Sequence, residues 1–118
     1  MKLTNGGMMY KQCDIILVPF PYSDLSSSKQ RPALIISNKH LNKTEDRICC
    51  LITSNSSVQG LELTPQSFAE GKLLFQSWVK PQRIFTVNER IIKKKIAICT
   101  SEFHRQVLNQ LHEYLKEE

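Results

Sequence analysis

Short apolar runs separated by polar stretches fill the first two thirds of the chain, and one helical pattern closes it. The runs are rich in Ile, Val and Leu, and their length and flanking turn residues predict strands. Asp14 to Phe20 (DIILVPF) predicts a strand that bends or ends at Pro19, because proline cannot donate to a ladder. Ala33 to Ser37 (ALIIS) predicts a second strand and Arg47 to Thr53 (RICCLIT) a third. Alternation puts Leu51 and Thr53 on one face of the third strand, and Ile48, Cys50 and Ile52 on the other. Leu61 to Leu63 predicts a short strand. Leu73 to Lys80 (LLFQSWVK) alternates Leu73, Phe75, Ser77 and Val79 against Leu74, Gln76, Trp78 and Lys80. Arg83 to Val87 and Ile96 to Cys99 predict further extended pieces.

The intervening stretches are polar. Tyr22 to Gln30, with three consecutive serines, predicts a mobile loop. Asn38 to Asp46 is a polar connection, Ser54 to Gly60 a loop, Thr64 to Gly71 a loop or short helical turn, and Glu89 to Lys95 a turn or loop. From Thr100 or Ser101, either of which can cap a helix, Phe103, Val107, Leu108, Leu111, Tyr114 and Leu115 recur on one face. Glu102 suits the first turn. His104 and His112 fall off that face and read as surface residues. The expected fold is a small, mostly antiparallel β domain of about five to seven strands, closed by one C-terminal helix. Residues 1–9 read as a loose leader and residues 10–118 as a single domain.

Composition narrows the class. With 118 residues the chain can bury a core without disulfides or a metal. Its 16 basic and 11 acidic residues give +5, a mild excess that favours polyanionic partners. No zinc spacing occurs among Cys13, Cys49, Cys50 and Cys99, so small core thiols in a reducing cytoplasm are expected. Adjacent Cys49 and Cys50 must point to opposite faces of a strand. The longest apolar run, Ile15 to Phe20, is far too short for a membrane span, and the first ten residues lack a signal peptide's apolar core. Phosphate-loop, His-Glu-x-x-His and nucleophile-elbow motifs are missing, so no metal or other cofactor is expected.

The remaining chemistry gathers around Arg31. Pro32 holds Arg31 in an extended conformation at the start of its strand. If the second and third strands pair antiparallel, Arg31 and Thr53 lie near one sheet edge. A guanidinium beside hydroxyls suits a phosphate. The bland alternative pairs Arg31 with Asp24 or Asp46 and leaves Thr53 a plain strand-end residue.

Three stretches resemble the PemK/MazF family of toxin ribonucleases: Asp14 to Leu25, Lys29 to Ser37, and Leu51 to Ser54. The later Phe85-Thr86-Val87 and the terminal helix are similar to the family's second half. The resemblance implies an SH3-like, CcdB-like small β barrel, a homodimer, and a type II toxin–antitoxin endoribonuclease that cuts single-stranded RNA without a metal. It implies 2′-hydroxyl attack leaving 2′,3′-cyclic phosphate and 5′-hydroxyl ends, with Arg31 and Thr53 catalytic. It also implies a cognate antitoxin, through which alone operator DNA would be bound. Lys29, Gln30, Ser54, Asn55, Lys80 and Gln82 are candidates for RNA contact. Tyr22 and Trp78 are candidates for base stacking, with core or dimer packing favoured for Trp78. Lys93 to Lys95 reads as a solvated turn. The chain departs from the family at Cys13, where glycine is frequent, and in lacking acidic residues at Gln30 and within Val79 to Gln82. A non-cleaving binding module of the same fold, poisoning a protein target or binding nucleic acid, is the alternative.

Overall fold

The aliphatic runs pair edge to edge in a computed structural model of the chain, which describes residues 10–19, 29–55 and 59–118. The strands are β1 (Asp14–Pro19), β2 (Gln30–Ile35), β3 (Asp46–Thr53), β4 (Leu61–Leu63), β5 (Phe68–Gly71), β6 (Ser77–Asn88) and β7 (Lys94–Cys99). The helices are α1 (Lys39–Asn42) and α2 (Ser101–Leu115). Among the described residues there is one antiparallel sheet in the order β4-β6-β3-β2-β1-β7-β5, curled into a nearly closed barrel. The leader, Phe20, and the serine loop up to Ser28 lie outside the described residues.

The central strands are buried on both faces, which is why their sequences run apolar instead of alternating. One face carries Ile15, Leu34, Cys50, Ile52, Val79 and Ala97 into the core that α2 closes with Phe103 and Val107. The opposite face carries Ile16, Val18, Ala33, Ile35 and Cys49 against Val87 and Ile92. Cys49 and Cys50 thus part to opposite faces as expected. Burial pushes both thiols up to about 12, leaving them inert at neutral pH.

Several expectations need correction. Residues 73–76 are not strand, and Leu74 and Phe75 stand exposed. β6 instead starts at Ser77 and runs through Pro81 to Asn88, joining two pieces that the sequence separated. Pro81 is tolerated because β6 is bulged there: Leu51 pairs with Lys80 but Cys50 with Ile84, so Pro81, Gln82 and Arg83 have no ladder pair on β3. The segment expected as loop or helical turn after Thr64 holds a 3₁₀ turn (Pro65–Ser67) and then β5. The connection after Asn38 holds α1.

Thr100 caps α2, its hydroxyl accepting from the Phe103 amide at 3.0 Å. His104 is not a surface residue: it is buried, with Nε2 3.3 Å from the Ile36 carbonyl oxygen. Burial holds its pKa below the usual imidazole value. Packing at the start of α2 uses Phe103, His104 and Val107, while Leu108, Tyr114 and Leu115 remain exposed.

Two backbone constraints pin the sheet. Cys13 has φ of 81°, the left-handed region that favours glycine. It is held there from both sides: its amide donates to the Ile35 carbonyl at 3.0 Å, and the Cys99 amide donates to its own carbonyl at 2.9 Å. Arg47 is fully buried at the start of β3. Its Nε donates to the Tyr10 carbonyl at 2.9 Å, and Nη1 to those of Thr44 and Asp46 at 2.8 Å each. Its Nη2 meets Glu89 at 3.2 Å. One side chain therefore ties the chain before β1, the α1–β3 turn and the turn after β6. We expect Arg47→Ala to lower unfolding stability in urea by about 3–5 kcal/mol, because it strands buried acceptors and a carboxylate. The exposed Arg90–Glu45 pair at 2.9 Å is a control; Arg90→Ala should change stability by less than about 1 kcal/mol.

Candidate functional site

Antiparallel pairing builds the site as a row of side chains across the sheet. Val18 of β1 opposes Arg31 of β2. β2 and β3 pair Ala33 with Leu51, Leu34 with Cys50 and Ile35 with Cys49. Continued two residues further, that register sets Arg31 opposite Thr53. Thr53 in turn opposes Trp78 of β6, and Trp78 opposes Glu62 of β4. Opposed residues of antiparallel strands share a face, with Cβ atoms about 5 Å apart. Val18, Arg31, Thr53, Trp78 and Glu62 therefore lie side by side. In the adjacent row Leu51 opposes Lys80, which joins the same face.

The polar groups of this row are poised for a ligand. Arg31 is exposed and has no hydrogen-bond or ion-pair partner among the described residues. Asp46 is not its partner, since it sits at the far end of β3 opposite Asn88. Asp24 lies outside the described residues. The Thr53 hydroxyl oxygen accepts from the Asn55 amide at 3.0 Å. That contact uses a lone pair and leaves the hydroxyl proton to donate outward. Lys80 is only 8% exposed and has no hydrogen-bond or ion-pair partner among the described residues. Its ammonium nitrogen is not a fully buried, unpaired atom, so the stem packs beside the row while the charge keeps contact with solvent.

Other sequence candidates are only partly gathered here. Lys29 is exposed just before β2, and Ser54 and Asn55 are exposed just after β3, at the same strand ends as Arg31 and Thr53. Gln30 opposes Pro19, and alternation turns it to the opposite face from Arg31. Gln82 is exposed on the β6 bulge, beyond Lys80. Tyr22 lies outside the described residues. Trp78 does not join the core: it is half-buried, belongs to neither cluster, and stands between Thr53 and Glu62. Glu62 is the carboxylate that sequence reasoning missed, having been sought near Gln30 and Val79 to Gln82. Gln76 Nε2 donates to its Oε2. The available signal was the Leu61-Glu62-Leu63 alternation, which turns Glu62 away from the core that takes both leucines. Among the described residues, no cluster of three or more His, Cys, Asp or Glu side chains could hold a metal.

A fork-shaped cation facing a hydroxyl, with a second cation alongside, can bind a phosphate and stabilise extra charge upon it. The chain matches the family model of PemK-like, MazF-like toxins of type II toxin–antitoxin systems over residues 11–115. No curated protein sequence matches it. Its fold is similar to that of MazF (Form-I) from Deinococcus radiodurans: TM-score 0.68, 17% identity, covering 91% of this chain and 96% of that one. MazE–MazF (Form-II) from the same organism gives a TM-score of 0.71 at 18% identity, covering 91% and 96%. A mycobacterial endoribonuclease in complex with its cognate antitoxin gives 0.64 at 16%, covering 92% and 99%.

Because the Lys80 stem is packed while its ammonium has no described partner, Lys80→Met should keep unfolding stability within about 1 kcal/mol of wild type. The same variant should bind single-stranded RNA more weakly in a filter assay. A loss of about 2 kcal/mol or more would show that the ammonium has a structural role instead.

Proposed function

This chain belongs to the PemK-like, MazF-like toxins of type II toxin–antitoxin systems, and we propose that it cuts single-stranded RNA at the Arg31–Thr53 row without a metal. Endoribonuclease activity is known for the family. The single observation that supports the reading is the register of β2 against β3, which, carried two residues past its last pair, sets Arg31 opposite Thr53, with Arg31 lacking a described protein partner.

The reaction is attack of a ribose 2′-hydroxyl on the adjacent phosphate. The P–O5′ bond breaks, leaving a 2′,3′-cyclic phosphate and a 5′-hydroxyl. Negative charge grows on the non-bridging phosphate oxygens in the transition state. Arg31 stays protonated at ordinary pH, so its fork stabilises that charge and does not act as a base. Thr53 donates its hydroxyl proton to a phosphate oxygen and fixes the phosphate for in-line attack. Lys80 adds positive charge beside the row. Lys29, Ser54 and Asn55 meet flanking backbone, which positions the strand without reading sequence. Trp78 offers a face on which a base can stack.

The partners follow from the family and the charge. Solved relatives include a mycobacterial endoribonuclease bound to its cognate antitoxin and a MazE–MazF assembly. The net charge of +5 suits an acidic antitoxin segment laid over the site. The toxin acts in the cytoplasm as a homodimer, and operator DNA is reached through the antitoxin. A non-cleaving binder has no need of a free arginine facing a hydroxyl, which favours the enzyme.

The test is cleavage of a long single-stranded RNA by the purified protein in EDTA. Wild type should yield cyclic-phosphate and 5′-hydroxyl ends. Arg31→Ala and Thr53→Ala should each lower the rate by about 10²–10³-fold while remaining folded. Binding of RNA with no cleavage by wild type would move the assignment to the binding module.

A further inference from the structure

The row does not end at the phosphate. Trp78 separates Thr53 from Glu62, and adjacent strands lie about 4.8 Å apart. Two strand spacings, about 10 Å, thus separate the hydroxyl strand from the carboxylate strand, a span on the scale of one nucleotide. A phosphate held by Arg31 and Thr53 would lay its base over the half-buried Trp78 and bring the base edge to Glu62. The carboxylate is aimed, because Gln76 Nε2 donates to its Oε2.

We propose that Glu62 reads the base next to the cut, selecting one that presents an amino N–H edge and rejecting uracil; this rests on the RNA-cleaving function above. A carboxylate only accepts hydrogen bonds. Guanine offers it two parallel donors, N1–H and the N2 amino group. Adenine and cytosine each offer an exocyclic amino group. Uracil offers one imino N–H flanked by two carbonyl oxygens, which a carboxylate repels. Arg31 lies on the phosphate side of Trp78 and Lys80 two residues along the same strand as Trp78, so cations hold the backbone and the single carboxylate of the row faces the base. Such a division separates affinity from sequence choice.

The experiment uses the full chain and a randomised single-stranded RNA pool, with the new 5′-hydroxyl ends sequenced. Wild type should show an amino-bearing base at one position flanking the cut. Glu62→Gln keeps the side-chain shape and adds an N–H donor that a uracil carbonyl can accept. It should shift that position toward uracil on the order of ten-fold, with the other positions of the motif unchanged. Glu62 is exposed, and unfolding stability should be preserved. A variant that cuts the unchanged motif more slowly on every substrate would overturn the proposal and give the carboxylate a role in proton transfer. A wild-type motif with uracil at both flanking positions would also overturn it. If wild type cuts no RNA, the cleaving function itself fails, and this inference falls with it.

Discussion

The register of β2 against β3 is the constraint on which the rest of the structure depends. A slip of one residue would turn Arg31 to the opposite face and remove it from Thr53. The slip is resisted from several directions. Leu34 and Ile35, like Cys49 and Cys50, feed opposite cores, so neither strand can shift without exposing apolar side chains on both faces. The connection between them is knotted by short polar contacts. The Ser37 hydroxyl donates to Asn42 Oδ1 at 2.6 Å, Asn42 Nδ2 donates to the Ser37 carbonyl at 2.8 Å, and the Ile48 amide donates to the Ser37 hydroxyl at 3.0 Å. Arg47 then clamps the start of β3 to Tyr10 and Glu89.

Polar satisfaction divides the molecule in the same way. Among the described residues, no fully buried side-chain nitrogen or oxygen lacks a hydrogen-bond partner. Arg47 engages four described partners through its guanidinium. Arg31 and Lys80 are the contrast: neither cation has a described partner, and both stand on the same face.

Much of this was legible in the chain. Apolar runs at Asp14, Ala33 and Arg47 announced the central strands, and the Arg-Pro step with the Ile-Thr-Ser end pointed to the strand ends where the structure puts Arg31 and Thr53. The existence of α2 was equally plain, with its cap narrowed to Thr100 or Ser101, and Thr100 is the one that caps it. What the sequence hid was set by tertiary contact. Leu73 to Lys80 alternates like a strand, yet residues 73–76 have no partner strand on which to lie. β5 is four residues long and ends at Gly71, at φ of 73°, where a Cβ would come within 2.9 Å of the Ile96 carbonyl oxygen. Only the fold reveals that approach. His104 sits beside Phe103 and is drawn in by the Ile36 carbonyl, a contact across 68 positions that periodicity cannot see. Glu62 joins the site only because a three-residue strand pairs with Trp78.

The central claim is that Arg31 and Thr53 hold one phosphate between them. A double-mutant cycle tests it most directly, using a single-stranded RNA with a 2′-deoxy sugar at the cut so that binding is measured without cleavage. Affinities of wild type, Arg31→Ala, Thr53→Ala and the double variant give the coupling between the two side chains. The account predicts non-additivity of about 1 kcal/mol or more. Additive losses, within about 0.3–0.5 kcal/mol, would mean that the two residues meet different groups and would contradict it.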